Sequence, residues 1–214
     1  MTRIFYRALF LLFVIAGLRV SAQQPKSEIG LWTVGSYLSG ETLTSIEGES
    51  ADITFEDDGP GFGLSFNRYW TDNFSTELAV MTFQSDMRVE TTELFLSDSF
   101  VVGQVRGRAT TAMAQWHFRP GMRFTPYLGA GIAHITGEFD PIDFGDGEDS
   151  SPIDLESDVT WTAAAGFAIN ITDRWAVGLE AKHVPWSAVE EGGAPEEALD
   201  VNPMLYGTSV RFRF

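Results

Sequence analysis

The thirteen C-terminal residues, Asn202 to Phe214, constrain this chain most. Counting back from Phe214, every second residue is Phe212, Val210, Thr208, Tyr206 and Met204, and the alternate set is Arg213, Arg211, Ser209, Gly207 and Leu205. Period-two alternation marks a strand with one apolar and one polar face. Chain ends usually fray into water, yet this one stops on an aromatic in phase with the apolar face. The edge strand of a soluble sandwich suits such an end poorly. A transmembrane barrel suits it directly, because there the apolar side chains face lipid and the polar ones face the lumen.

The same alternation recurs upstream. Phe62, Leu64, Phe66 and Trp70 share one face and Gly63, Ser65, Asn67 and Tyr69 the other, with Arg68 on the apolar side near the strand end. Phe74, Thr76, Leu78 and Val80 oppose Ser75, Glu77 and Ala79. Ala114, Trp116 and Phe118 oppose Met113, Gln115 and His117, and Pro126, Leu128, Ala130 and Ile132 oppose Tyr127, Gly129, Gly131 and Ala133. Val159 to Ile171 and Trp175 to Lys182 alternate likewise. A first strand over about residues 28–38 has two candidate phases: Trp32, Val34 and Leu38 oppose Ile29, Leu31 and Tyr37. Thr71-Asp72-Asn73, Arg119-Pro120-Gly121 and Thr172-Asp173-Arg174 have tight-turn chemistry.

The count is eight strands, short turns alternating with long connections. That pattern predicts an all-β fold, an eight-stranded antiparallel transmembrane up-and-down β-barrel. Open strand edges are not tolerated in lipid, so the first and last strands must pair. Trp70, Phe74, Phe118, Phe124, Trp175 and Phe214 all adjoin the short turns and predict one aromatic girdle at the periplasmic rim. A lipocalin-like soluble barrel would turn the same apolar face inward.

Residues 1–22 read as a signal peptide: Arg3 and Arg7, an apolar run from Ala8 to Leu18, then Val20-Ser21-Ala22. The run is short for a spanning helix, so the barrel domain is expected over residues 23–214. The chain has no cysteine, which excludes a disulfide framework and a lipid-anchored start. Beyond residue 22 it carries 11 Lys plus Arg against 30 Asp plus Glu, a net charge of −19, which argues against nucleic acid as a partner. Four segments, 39–58, 85–99, 138–158 and 185–201, hold 25 of the 30 acids and read as loops.

Three blocks resemble the OmpW family of small eight-stranded outer-membrane barrels, within the wider OmpA-like and OmpX-like group. They are Tyr69-Trp70-Thr71-Asp72-Asn73 leading to Glu77-Leu78-Ala79; Trp116-His117-Phe118 followed by Arg123-Phe124-Thr125-Pro126-Tyr127-Leu128-Gly129-Ala130-Gly131-Ile132; and Gly166-Phe167 leading through Asn170-Ile171-Thr172-Asp173-Arg174-Trp175 to Lys182 and Arg213-Phe214. Met81-Thr82-Phe83-Gln84 and Ala109-Thr110-Thr111 depart from the prolines and histidine usual in that family. The resemblance implies a monomer in a Gram-negative outer membrane, in contact with its lipids and lipopolysaccharide. It implies a porin-like, cofactor-free passive route by which small hydrophobic molecules enter the membrane through the barrel wall. It also implies that the final strand, with Tyr206, Val210, Phe212 and Phe214, is the recognition signal for the barrel-assembly machinery.

Inside the barrel, the phases place Glu77, Gln115, His117, Glu180, Lys182, Arg211 and Arg213 in one polar network. Buried charges need partners, so these groups form either a paired plug or a gated polar path. Tyr127, Gly129, Gly131 and Ala133 either line a narrow pocket or allow tight packing. Asp143, Asp146 and Glu148 around Gly145 and Gly147 offer oxygen ligands of the calcium type without EF-hand spacing, and no metal is expected. No nucleophile, base and orienting group fall together, with His134-Ile135-Thr136 the nearest to a His-x-Ser pattern, so the chain is not expected to be an enzyme. The alternative to a channel is a non-transporting structural or surface-interaction barrel.

Overall fold

The computed structural model describes residues 27–39, 42–44, 50–57, 59–93, 96–118, 120–142, 151–188 and 199–214. Residues 1–22, and with them the expected signal peptide, lie outside this set.

Among the described residues twelve strands follow in chain order: β1 (Ser27–Tyr37), β2 (Thr42–Thr44), β3 (Ser50–Asp57), β4 (Gly61–Tyr69), β5 (Phe74–Glu93), β6 (Leu96–His117), β7 (Phe124–Pro141), β8 (Ile153–Asn170), β9 (Trp175–His183), β10 (Ser187–Ala188), β11 (Leu199–Asp200) and β12 (Met204–Arg213). Eight of them, β1, β4, β5, β6, β7, β8, β9 and β12, close a ring of antiparallel neighbours. The closing pair is β1 with β12, in register from Glu28 opposite Arg213 to Tyr37 opposite Met204. The chain ends are tied as well: the Ser27 amide donates to the Phe214 carbonyl and the Phe214 amide to the Ser27 carbonyl. Closure gives each of these eight strands a ladder neighbour on both sides over its lower part, as lipid requires.

The short turns at 71–73 and 172–174 lie at one rim and are fixed by side chains. Thr71 Oγ1 accepts from the Phe74 amide at 3.0 Å, and Thr172 Oγ1 accepts from the Trp175 amide at 3.0 Å. Around this rim Trp70, Phe118, Phe124, Trp175 and Phe214 are exposed. Phe124 packs on Phe167 with ring centroids 4.9 Å apart, and Trp175 on Phe212 at 4.8 Å. Higher on the wall, Leu31, Leu64, Leu128, Trp161, Leu179 and Val210 are exposed in one band. Exposed large apolar residues on this scale are unusual on a soluble surface and normal against lipid.

The acidic segments differ from the loop reading. Segment 39–58 contains β2 and β3, and β3 pairs with the upper part of β5, Ala51 opposite Thr91 to Asp57 opposite Ser85. Segment 85–99 is a β5–β6 hairpin, and β7 and β8 continue through much of segment 138–158. The reason is that alternation persists beneath the charge. Asp154 and Glu156 face out while Ile153 and Leu155 turn inward. Above the lipid the outer surface meets water, so acids occupy the positions that leucines hold lower down. Arg106 bridges Asp140 at 2.6 Å and Glu138 at 3.5 Å across that surface, and Arg88 bridges Glu56 at 2.9 Å. Pairs this exposed contribute little to stability.

Candidate functional site: a lumen of two halves

Eight strands enclose a space that side chains can fill, and here two different sets fill it. The even-numbered residues of β1 turn inward: Glu28, Trp32, Val34 and Ser36 are buried, as is Leu38 just beyond the strand, while Ile29, Leu31 and Tyr37 are exposed. That settles the open phase of the first strand.

In the half nearer the short turns, ion pairs and hydrogen bonds cross the lumen. Lys182 Nζ on β9 lies 3.2 Å from Glu77 Oε1 on β5, the strand diametrically opposite in the ring. The same ammonium lies 3.2 Å from Glu180 Oε1 and donates to Thr111 Oγ1 at 3.3 Å. Arg211 Nη2 donates to Tyr127 Oη at 2.6 Å, and that hydroxyl donates to Glu180 Oε2 at 2.9 Å. Glu28 anchors the other end: Arg213 Nε lies 2.7 Å from its Oε2 and Arg211 Nη1 lies 3.6 Å from its Oε1. The Arg211 guanidinium also rests over the rings of Trp32 and Tyr127, at 4.9 and 5.1 Å.

Three carboxylates (Glu28, Glu77, Glu180) therefore face three cations (Lys182, Arg211, Arg213). The balance matters, because an uncompensated charge here would cost several kcal/mol. Arg211, Lys182, Tyr127, Gln115 and Glu77 are at most 2 % exposed. The axis is shut at this level. Asn67 Nδ2 donates to Gln115 Oε1 at 2.7 Å, and His117 Nε2 meets Ser75 Oγ at 2.8 Å. The Ser75–His117 pair is sealed, 0 % and 2 % exposed, so it offers no hydroxyl to a substrate.

The outer half of the lumen is apolar. Trp32, Val34, Leu38, Ala79, Met81, Phe83, Val105, Ala109, Ala133, Ile135, Val184, Trp186, Val201 and Leu205 form one buried cluster. Its lid is Trp186, 1 % exposed, from the segment after β9. The Trp186 amide donates to Asn202 Oδ1 at 3.2 Å, its carbonyl accepts from the Val201 amide at 3.0 Å, and its ring closes over Gly137 of β7.

All seven residues expected in the polar network lie inward. Glu77, Glu180, Lys182, Arg211 and Arg213 join the ion-paired group, and Gln115 and His117 take the hydrogen bonds just described. Glu28 is missing from that expectation. A signal for it existed: Glu77 and Glu180 against Lys182, Arg211 and Arg213 leaves one cation over, and Glu28 shares parity with Trp32. Trp186 gave no such signal, since it falls in a segment read as loop. The suggested pocket along β7 is filled: Met113 and Gln115 cover Gly129, the β6 backbone abuts Gly131, Ala133 is buried in the apolar cluster, and Tyr127 serves the polar half. Tyr206 and Val210 on β12 and the terminal Phe214 beyond it are exposed, with Phe212 partly covered by Trp175. Asp143, Asp146 and Glu148 lie outside the described residues. Among the described residues no group of three or more His, Cys, Asp or Glu is placed to hold a metal ion.

An apolar exterior around a self-neutralised interior, with the ring closed and the girdle in place, defines a transmembrane β-barrel of the outer-membrane type. The sequence profile of the outer membrane protein beta-barrel domain matches residues 8–214, and the chain belongs to that family. It is 28% identical over 185 residues to outer membrane protein W of Escherichia coli strain K12, covering 82% of this chain and 81% of that protein. The crystal structure of the outer membrane protein OprG from Pseudomonas aeruginosa superposes with a TM-score of 0.63 at 16% identity, over 92% of this chain and 99% of that one. The solution structure of Escherichia coli outer membrane protein W gives 0.51 at 20% identity, over 91% and 100%.

Proposed function

We propose that this barrel is a passive route by which small hydrophobic molecules pass from outside the cell into the outer membrane. One observation carries the reading: an apolar outer lumen stands directly on a polar, ion-paired lower lumen. An apolar solute that displaces Trp186 finds favourable surroundings among Met81, Phe83 and Leu205. To continue along the axis it would have to break the Lys182–Glu77 and Arg211–Tyr127 links, each between buried groups. The lower-cost exit is sideways into lipid. The route needs no cofactor and no covalent chemistry.

The rest of the reading follows from the barrel's surfaces. The chain sits as a monomer in the outer membrane after export directed by residues 1–22. Its apolar band contacts lipid, its acidic outer rim faces lipopolysaccharide, and the assembly machinery reads Tyr206, Val210 and Phe212 of β12 with the terminal Phe214.

A second reading, a non-transporting structural or surface-interaction barrel, draws on the tight closure of the outer half beneath Trp186. Outer-membrane vesicles with lipopolysaccharide in the outer leaflet separate the two. Faster entry of a small apolar probe than with a matched closed barrel is the expected result; equal rates would favour the second reading.

A further inference from the structure

Arg68 is a cation on the lipid face of the wall, and no protein carboxylate answers it. Along β4, Phe62 and Leu64 of the same parity are exposed, while Ser65 and Asn67 turn inward and are buried. Trp70, two residues nearer the short turn, is exposed in the aromatic girdle. That places Arg68 about 5 Å above the girdle, at the level of lipid headgroups. An arginine is costly at the bilayer midplane and nearly neutral at the interface. The position is therefore tolerated, but tolerance does not supply the charge with a partner.

Most other cations are accounted for. Arg211 and Arg213 turn inward to Glu28, and Lys182 to Glu77 and Glu180. Arg88 and Arg106, nearer the opposite rim, each bridge a carboxylate. Arg123 and Arg174 beside the turns are exposed to water, as is Arg108 near the outer rim, which no described side chain holds. Arg68 is half-buried, and among the described residues it forms no ion pair. Asp72 in the adjoining turn is exposed and does not pair with it.

The side chain is nevertheless held in one place. Arg68 Nη1 donates to Ser27 Oγ at 2.9 Å. Ser27 shares the parity of the exposed Ile29 and Leu31, yet is buried with the guanidinium bonded over it. Ser27, Arg68 and Thr76 are register partners across β1, β4 and β5. On the far side of this row, Thr76 Oγ1 accepts from Trp70 Nε1 at 3.0 Å. Both hydroxyls act as acceptors in these bonds, and each keeps a proton to donate. With Nη1 committed to Ser27, the Nε–Nη2 edge of the guanidinium remains. That edge carries two parallel N–H groups, which match two oxygens of a phosphate. Nε is screened from water and has no hydrogen-bond partner. The row is thus a set of donors around one uncompensated positive charge, and it contains no carboxylate.

We infer that Ser27, Arg68 and Thr76 form a seat for the phosphodiester of a membrane phospholipid in the leaflet at the short-turn rim. The free edge of Arg68 takes two phosphate oxygens, and the Thr76 hydroxyl donates to one of them. One phosphodiester neutralises one arginine. A lipid fits better than a soluble phosphate because the same face carries exposed apolar surface on both sides of the row. Trp70 lies below it, and Ile29, Leu31 and Leu64 lie where the acyl chains run. The seat is independent of whether the lumen carries a solute.

The test is titration of the purified barrel, in an uncharged detergent, with a short-chain phosphatidylglycerol, the bound lipid being counted by native mass spectrometry. Folding of each variant is verified by heat-modifiable gel mobility. One tightly held lipid per barrel is expected. Arg68→Gln is expected to weaken it about tenfold, and Thr76→Val about threefold. Arg174→Gln makes the same change in net charge at an exposed turn position and is expected to leave binding unchanged. Arg68→Lys keeps the charge and loses the fork; it is expected to weaken binding about threefold, and it carries the test if Arg68→Gln does not fold. A diacylglycerol of the same chain length is expected not to be held, and glycerol 3-phosphate in excess is expected not to displace the lipid. No loss in the Arg68 variants, or equal losses in Arg68→Gln and Arg174→Gln, would overturn the seat. Diacylglycerol held as tightly as phosphatidylglycerol would overturn the role of the phosphate. Displacement by glycerol 3-phosphate would make this a site for soluble phosphates and overturn the lipid.

Discussion

The two halves of the lumen are built on the same strands yet use opposite chemistry. The lower half is a set of six charges closed on itself, Glu28, Glu77 and Glu180 with Lys182, Arg211 and Arg213. The outer half is an apolar cluster under an indole lid. A polar plug is specified by partners: each group is needed by another, and one removal strands its neighbours. An apolar cluster is specified by volume, and a side chain of similar size can replace another. Under the proposed function, the difference lets the lower half stay shut along the axis while the outer half takes an apolar guest.

The comparison breaks most visibly at Lys182. Replacing it with methionine leaves Glu77 and Glu180 buried without their cation, and a loss of about 3–5 kcal/mol is expected. The midpoint of urea unfolding in lipid vesicles measures it. Adding Glu77→Gln to that variant is expected to recover part of the loss, because one of the two stranded charges is gone. No loss in the single variant would mean that the lower half is hydrated and open.

A smaller effect belongs to the outer wall. Leu128 is exposed on the lipid face between the girdle and the middle of β7. Leu128→Arg is expected to destabilise by about 2–4 kcal/mol in vesicles, and by much less in detergent micelles that adapt around the charge. Equal losses in both media would argue that this face is not against lipid.

The smallest effect sharpens the contrast from the apolar side. Met81, buried in the outer cluster, is expected to accept leucine at a cost below about 1.5 kcal/mol. A cost as large as that of Lys182→Met would show that the outer half is fitted as tightly as the lower one.

The fold was legible because a single rule, alternation with a two-residue period, holds across the membrane. Arg211 between Val210 and Phe212 has only one acceptable orientation in lipid, and the last strand follows. The rule weakens where both sides of the wall are apolar. Trp32 and Val34 look lipid-facing by composition and are not, because the outer lumen is dry; Glu28 was overlooked with them. Above the membrane the rule inverts. Asp154 and Glu156 replace apolar residues on the outer face, so strands dense in acid read as loops. The site was legible as a set of inward charges. Its cross-barrel pairing depended on ring positions that one strand's pattern does not contain, such as β9 lying opposite β5. The lid at Trp186 arises from a chain path outside the periodic segments.

The central claim is that an apolar solute occupies the outer half and leaves sideways without crossing the lower half. The most direct measurement uses a small apolar probe carrying a diazirine, photolysed in vesicles during uptake, with the labelled residues mapped by mass spectrometry. Label on Met81, Phe83, Leu205 and Tyr206, with none on Gln115, His117 or Arg211, is the predicted result. Label continuing down the lumen to Gln115 and Arg211 would contradict it, and would make the barrel an axial pore.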